Sequence, residues 1–209
     1  RLAERTRILA AVSHDLRSPI TRLRLRTEML DDEQQKQRFR KDLTDMEGLV
    51  STTLEFVSSG EINEARQNID INALLQSLQA DLQDIGEHIT LLGRAKHPGA
   101  GYARSLKRGG QNLLENAVRY ARDVQVIVDE QPEHLVITVR DSGPGIAPEH
   151  LTQVLEPFYR LDTSRNSSTG GYGLGLSIAQ TVATAHGGTL VLRNRPEDGL
   201  DAVLTLKNL

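Results

Sequence analysis

Several groups of residues in this chain have types and spacings suited to handling a phosphoryl group. The first is Ser13-His14-Asp15-Leu16-Arg17-Ser18-Pro19-Ile20-Thr21. Leu2, Leu9, Leu16, Leu23 and Leu30 recur every seven residues through it, with Val12 and Ile20 at intermediate positions. That is the pattern of one long amphipathic helix with a coiled-coil-like seam. With the leucines at heptad position a, His14 falls at f, facing away from the seam to where a partner can reach it. A histidine alone there would be one more residue of a solvated face; Asp15 beside it and Ser18 one turn on set it apart. A neutral imidazole has a free ring-nitrogen lone pair that makes it a nucleophile or a base, and Asp15 can take its proton or hold the other ring nitrogen. Pro19 removes a backbone donor beside this group, at a cost of roughly 3 kcal/mol in an ordinary helix interior. Because the leucine repeat runs on to Leu30, a kink is expected rather than a helix end at Ser18.

Three further clusters have the makings of a nucleotide site. In Asn112-Leu113-Leu114-Glu115-Asn116-Ala117-Val118-Arg119-Tyr120, the polar residues lie on neighbouring turns of one helix face. Carboxamide oxygens suit a hard cation such as Mg2+, which keeps several waters and leans on substrate phosphates. Arg119 can neutralise phosphate and Tyr120 can stack on a base. The second cluster, Asp141-Ser142-Gly143-Pro144-Gly145-Ile146, follows a strand. Its carboxylate can accept from an exocyclic amine, and its glycines let backbone approach a flat ring. The third, Gly170-Gly171-Tyr172-Gly173-Leu174-Gly175-Leu176, opens a helix and exposes backbone donors to phosphate. It is neither a dinucleotide fingerprint nor a P-loop, because the spacing is wrong and no Gly-Lys-Ser/Thr ending occurs. Between them lie Glu156-Pro157-Phe158-Tyr159-Arg160 and a polar run, 162–169, expected to form a lid over the ligand. Taken singly, an asparagine pair is as well explained by capping or packing, and Asp, Gly and Pro together by a tight turn.

The elements that must position these residues fall into two sets. After the polar break at Asp31-Asp32-Glu33, Phe39, Leu43, Met46, Val50, Thr53 and Val57 alternate in spacing between four and three, which predicts a second helix antiparallel to the first. Two such helices cannot bury both stripes alone, so a homodimeric four-helix bundle is expected. The polar stretch 58–64 reads as a flexible linker. Beyond it helices are expected at 71–85, 103–120 and 174–186, and strands at 89–92, 124–128, 135–139, 189–192 and 202–206. The fold class expected is therefore α + α/β: a helical hairpin over 1–59, a linker over 60–67 and a two-layer α/β sandwich over 68–209.

Composition narrows the function classes. Across 209 residues the formal net charge is −3 with both signs interspersed, which leaves no electrostatic footprint for nucleic acid. With no cysteine, disulfides and thiolate metal sites are excluded. No apolar run is long enough to span a bilayer, and a chain opening on Arg1 is expected to be a piece of a longer protein. His88, His97, His134, His150 and His186 are scattered and read as ordinary.

In this order, the blocks resemble those of the bacterial two-component sensor histidine kinases, with an H box at His14, an N box at 112–120 and glycine boxes at Asp141 and Gly171. The likeness covers nearly the whole chain, and the run from Ser13 to Arg24 is most similar to the osmosensor (EnvZ-like) branch. The resemblance implies a dimeric phosphoacceptor hairpin followed by a Bergerat (GHKL) ATP-binding fold shared with gyrase and Hsp90. It implies that His14 is phosphorylated from ATP, with Asp15 assisting, and that the phosphoryl group passes to an aspartate of a response regulator. Ser18 would position water for the reverse dephosphorylation, at a place where Thr is commoner. Asn116 would hold Mg2+ with Asn112 nearby, Arg119 would touch phosphate, Tyr120 would pack on adenine and Asp141 would read its amino group. Gly143, Gly145, Ile146, Phe158, Arg160 and the run Gly171, Tyr172, Gly173, Leu174, Gly175 and Leu176 would complete the nucleotide contacts. A membrane-anchored parent in the bacterial inner membrane, with this piece facing the cytoplasm, is also implied. Two other functions compete: a dimeric scaffold that binds ATP without transferring phosphate, and an ATPase of the gyrase or Hsp90 type. Gly109-Gly110 departs from the family's apolar residues at a cost of about 1 kcal/mol each against alanine, and the segment His97-Pro98-Gly99-Ala100-Gly101 lacks the usual acidic strand end.

Overall fold

The computed structural model describes residues 2–161 and 171–207, with side chains from Glu4 onward. Its contacts divide the chain into two compact units that meet at Glu61 and Ile62. That boundary lies inside the span 60–67 expected to be linker.

The first unit is a helical hairpin. Helix α1 (Leu2–Thr27) passes through Pro19, so the helix does not end at Ser18. It stops three residues short of Leu30, which lies in the turn. Helix α2 (Glu33–Ser59) starts at a cap: the Asp32 side chain accepts the N–H groups of Gln34 and Gln35 at 2.9 and 3.2 Å. Arg40 grips Glu28 through two hydrogen bonds at 2.7 and 2.5 Å, and Arg24 grips Glu47 at 3.1 and 2.7 Å. The faces that meet are not the leucine stripe. Ile20, with Leu43 and Val50 of α2, forms the buried core, and Ser13 and Thr27 are buried one heptad before and after Ile20. Leu16 and Leu23 remain 40% and 44% exposed. Small or β-branched residues spaced by seven let the two helices approach, and the leucines lie on an adjoining stripe that the hairpin itself does not cover.

The second unit is a two-layer sandwich. Seven short strands are described: β1 (Gln67–Ile69), β2 (His88–Gly93), β3 (Gly99–Gly101), β4 (Asp123–Glu130), β5 (His134–Asp141), β6 (Thr189–Asn194) and β7 (Leu200–Lys207). Five make a sheet in the order β2-β4-β5-β7-β6, with β2 parallel to β4 and the other pairs antiparallel; β1 and β3 pair separately. The alternation in β5, where Leu135, Ile137, Val139 and Asp141 are buried, turns one face inward. Helices α3 (Ile71–Asp84), α4 (Ala103–Tyr120) and α5 (Gly175–Ala185) pack on that face through Leu75, Leu78, Leu82, Leu113, Leu114, Ala179 and Val182. On the outward face, Arg140 of β5 holds Asp201 of β7 bidentately at 2.8 Å.

Glycine pairs that no sequence reading explained have a packing role. A Cβ on Gly110 would sit 2.8 Å from Leu78 Cδ1, and one on Gly109 would sit 3.0 Å from Val182, so the pair lets α4 wedge between α3 and α5. Gly101, whose Cβ would meet the His186 ring at 2.8 Å, makes room for a buried imidazole.

Candidate functional site

His14 lies midway along α1. Its side chain is 80% exposed and that of Asp15 85%, with His14 Nδ1 3.6 Å from Asp15 Oδ1. At that distance the two are neighbours without a hydrogen bond between them. Ser18, one turn on, is exposed, and Arg22 donates from Nη1 to its Oγ at 3.0 Å. His14, Ser18 and Arg22 follow one another at intervals of four residues, so an imidazole, a hydroxyl and a guanidinium line one outward face.

In the second unit, residues from three distant stretches come together. Asn112 and Asn116 of α4 are half-buried. Asn112 donates from Nδ2 to the Arg108 carbonyl at 2.9 Å, leaving Oδ1 pointing away, 3.1 Å from where a Cβ on Gly175 would lie. The first residue of α5 is thus a glycine whose side-chain space is already claimed by an N-box carboxamide. Asp141 ends β5, only 5% exposed, and its Oδ1 accepts the Gly143 N–H at 2.9 Å. Burial pushes its carboxyl above the usual aspartate range, while the N–H groups of Gly143 and Leu200 pull it back. A Cβ on Gly143 would meet the Tyr120 carbonyl at 3.0 Å, so the end of α4 and the Asp141 turn are in contact. Gly145 has φ +72°, the left-handed region where glycine is favoured.

The glycine box opens α5 with Leu174 at the N-cap, a fully buried residue with no polar side chain to close the first backbone donors. Gly173 has φ +75°, and its carbonyl accepts the N–H of Phe158 at 2.8 Å. Phe158 itself has φ +66°, the one positive value outside glycine among the described residues. Arg119, Tyr120 and Arg160 are exposed, and Leu176 is partly buried against the core. Gly171 and Tyr172 group with the first unit, where Tyr172 Oη donates to the Asp45 carbonyl of α2 at 2.8 Å, so they are not among the residues gathered here. The expected lid over 162–169 lies outside the described residues.

Sequence reasoning missed three supporting residues. Asn194 at the end of β6 clamps the second glycine turn, accepting the Ile146 N–H at 2.9 Å and donating to the Ile146 carbonyl at 2.5 Å. Neighbouring Arg195 donates from Nη1 to the Asp141 carbonyl at 3.3 Å. His186, read as ordinary, is 4% exposed: Nε2 accepts the Tyr102 N–H at 3.0 Å, and Nδ1 lies 2.8 Å from the Val182 carbonyl. Burial lowers its pKa and favours the neutral ring with the proton on Nδ1. Its glycine-vacated pocket was the only trace of it in the sequence.

A half-buried carboxamide pair, a buried acceptor at a strand end and glycines with no room for a Cβ fit a metal-bound nucleoside triphosphate: Asn116 and Asn112 offer the hard oxygen donors Mg2+ takes.

Comparison with known proteins agrees with this geometry. Residues 101–209 match the model of the histidine kinase-, DNA gyrase B-, and HSP90-like ATPase family, and residues 4–62 match that of the His Kinase A (phospho-acceptor) domain. The chain is 41% identical over 208 residues to the sensor histidine kinase GtrS of Pseudomonas aeruginosa, covering all of this chain and 43% of that one. It is 34% identical over 198 residues to the sensor protein RstB of Escherichia coli, covering 90% and 46%. The chain thus spans less than half the length of these relatives. Full-length ShkA, solved in complex with AMPPNP, shares the fold with a TM-score of 0.76 at 22% identity, over 97% of this chain and 46% of that one.

Proposed function

Because this chain belongs to the histidine kinase-, DNA gyrase B-, and HSP90-like ATPase family and carries a phospho-acceptor domain ahead of it, we propose that it autophosphorylates His14 from ATP and passes the phosphoryl group to an aspartate of a response regulator. The observation that carries this reading is the pairing of an outward imidazole with an N-box carboxamide, a buried aspartate and a glycine-opened helix in one chain.

In this proposal the second unit binds the nucleotide. The buried Asp141 carboxylate accepts from the adenine amino group, Tyr120 packs on the ring, and the Gly143 to Ile146 turn, clamped by Asn194, approaches its edge. The phosphates lie against the start of α5 from Gly173 to Leu176, with Arg119, Phe158 and Arg160 around them. Asn116, with Asn112 beside it, holds Mg2+, which when bound neutralises charge on the triphosphate oxygens. His14 attacks the terminal phosphorus through a ring nitrogen. The nitrogen–phosphorus bond forms as the bond to the bridging oxygen breaks, ADP leaves, and the ring proton passes to Asp15 or solvent. Ser18, held by Arg22, orients water for removal of phosphate from the regulator. The unfilled stripe of Leu16 and Leu23 is covered by a second copy of the hairpin, making the four-helix bundle. A membrane-anchored parent, with this piece facing the cytoplasm, belongs to the same reading; among the described residues no helix is long and apolar enough to cross a membrane.

The test is incubation with γ-labelled ATP and Mg2+. An acid-labile, base-stable label is expected on the unaltered protein, absent in His14→Gln and in Asn116→Ala. Label surviving in His14→Gln overturns the proposal; ATP turnover that ignores His14→Gln selects an ATPase instead.

A further inference from the structure

We propose that Glu64 is a positioning residue for the nucleotide site: lying on the strap between the hairpin and the second unit, it sets the placement of Asn112 and Asn116 through the N-terminus of their helix. This deepens the functional reading above and rests on it.

By composition the stretch 58–64 is a polar linker, yet its last residue is built into the second unit. The Glu64 side chain is only 12% exposed, and its two oxygens accept the N–H groups of Arg104 at 3.0 Å and Ser105 at 2.8 Å, with Arg104 Nε 3.9 Å away. Those are two of the orphan donors in the first turn of α4. Tyr102, at the N-cap position, supplies no side-chain hydrogen bond, so the cap of α4 comes from some 40 residues earlier in the chain. A carboxylate at that end also meets the positive pole of the helix.

Neighbouring residues tie the same strap down. Arg66 places its guanidinium carbon 6.0 Å from the Tyr102 ring centroid and donates to the Ala100 carbonyl at 3.5 Å. Gln67, Asn68 and Ile69 pair with Gly101, Ala100 and Gly99. The Tyr102 N–H is taken by buried His186 at the end of α5. The start of α4 is thus gripped by the strap and, through His186, by the far end of the helix that the glycine box opens.

From Arg104 to Asn112 is eight residues, about 12 Å of a stiff rod. With Gly109 and Gly110 letting α4 seat closely between α5 and α3, a change at its capped end moves the rod along or about its axis and carries the carboxamides with it. Ser59, the last residue of α2, precedes Glu64 by five residues, so the cap is the first fixed point the chain reaches after leaving the phosphoacceptor hairpin.

The experiment compares the unaltered full chain with Glu64→Ala, Glu64→Gln and a stability control, Leu82→Ala, which truncates a buried residue at the far end of α3. Two readouts are taken: the side-chain amide NMR signals of Asn112 and Asn116 without nucleotide, and the Mg2+ concentration for half-maximal ATP binding. Glu64→Ala is expected to shift both pairs of signals and to raise the Mg2+ midpoint about fivefold. Glu64→Gln, which keeps one acceptor oxygen, should recover most of both, and Leu82→Ala should change neither despite a lower melting temperature. If Glu64→Ala leaves the signals and the midpoint in place, or Leu82→Ala moves them equally, Glu64 is only a stabilising cap and the proposal falls. Should Glu64→Ala fail to fold, Glu64→Asp, whose carboxylate is one methylene short of the Arg104 and Ser105 N–H groups, decides by the same criteria, an unchanged midpoint and unchanged signals counting against. If the unaltered protein binds no ATP, the functional reading fails, and the amide signals still decide whether Glu64 positions the carboxamides.

Discussion

The two units of this chain bury their apolar residues to different degrees. The second closes its own core: Leu113, Leu114, Val124, Val126, Ile178 and Val182 are at most 2% exposed, and both layers contribute to one continuous cluster. The hairpin buries Ile20, Leu43 and Val50 with Leu54 against them, and leaves Ile8, Val12, Leu16, Leu23, Leu25, Phe39, Met46 and Leu49 largely exposed. A unit with a finished core is stable by itself, whereas one with an uncovered stripe draws its stability from whatever covers it, so its stability depends on protein concentration. In the proposed function the chemistry is divided the same way, with the nucleotide in the self-sufficient unit and the acceptor imidazole on the associating one.

The strongest way to break that contrast is to charge the stripe. Leu16→Glu with Leu23→Glu replaces two side chains each worth about 1.5–3 kcal/mol on burial. Self-association measured by sedimentation should weaken at least about 100-fold, with the melting of the second unit unchanged; a dimer that survives would show that another face pairs the hairpins. Core truncation sharpens it further. Leu114→Ala should cost the second unit about 2–5 kcal/mol in urea unfolding at any protein concentration. Leu43→Ala in the hairpin should lower an unfolding midpoint that, in parent and variant alike, rises with protein concentration.

A smaller, pH-dependent effect belongs to the second unit alone. Burial lowers the His186 pKa, so the folded state binds its proton less readily than the unfolded chain. The stability from the neutral ring is complete above the ordinary histidine value of about 6.5 and is lost as pH falls below it. Asp141, raised by burial, works with the opposite sign, its cost appearing as pH rises above the ordinary aspartate value. The melting temperature of the second unit should therefore fall by a few degrees on acidification below pH 6.5, and His186→Gln should remove that part of the slope. The smallest effect expected is that of Gly110→Ala: the new Cβ meets only the flexible tip of Leu78, and a helix-propensity gain of about 1 kcal/mol offsets the crowding. Its unfolding free energy should stay within about 0.5 kcal/mol of the parent.

What could be read from residues alone follows from the same physics. Periodicities of 3.6 and 2 located α1 to α5 and the five sheet strands to within a few residues, because each buries one face. The partner of the leucine stripe was not legible: period fixes the angle of a stripe on a helix, not what lies opposite, and the residues facing α2 include Ser13 and Thr27, which no apolar pattern marks. Strands β1 and β3 escaped because Gln-Asn-Ile and Gly-Ala-Gly carry no alternation. Around the candidate site, residue type and spacing singled out Asn112, Asp141 and the glycines as candidates, whereas Asn194, His186 and Glu64 act on backbone groups far off in sequence, a relation that only the folded chain displays.

The central claim is that ATP held by the second unit phosphorylates the imidazole carried by the first. Its most direct measurement is the transfer of label from γ-labelled ATP to the purified full chain, run beside His14→Gln with ATP binding measured in both. The account predicts acid-labile, base-stable label on the unaltered protein, none on His14→Gln, and equal ATP affinity in the two. Label of the same stability on His14→Gln, or none on a parent protein that binds Mg-ATP, would contradict it.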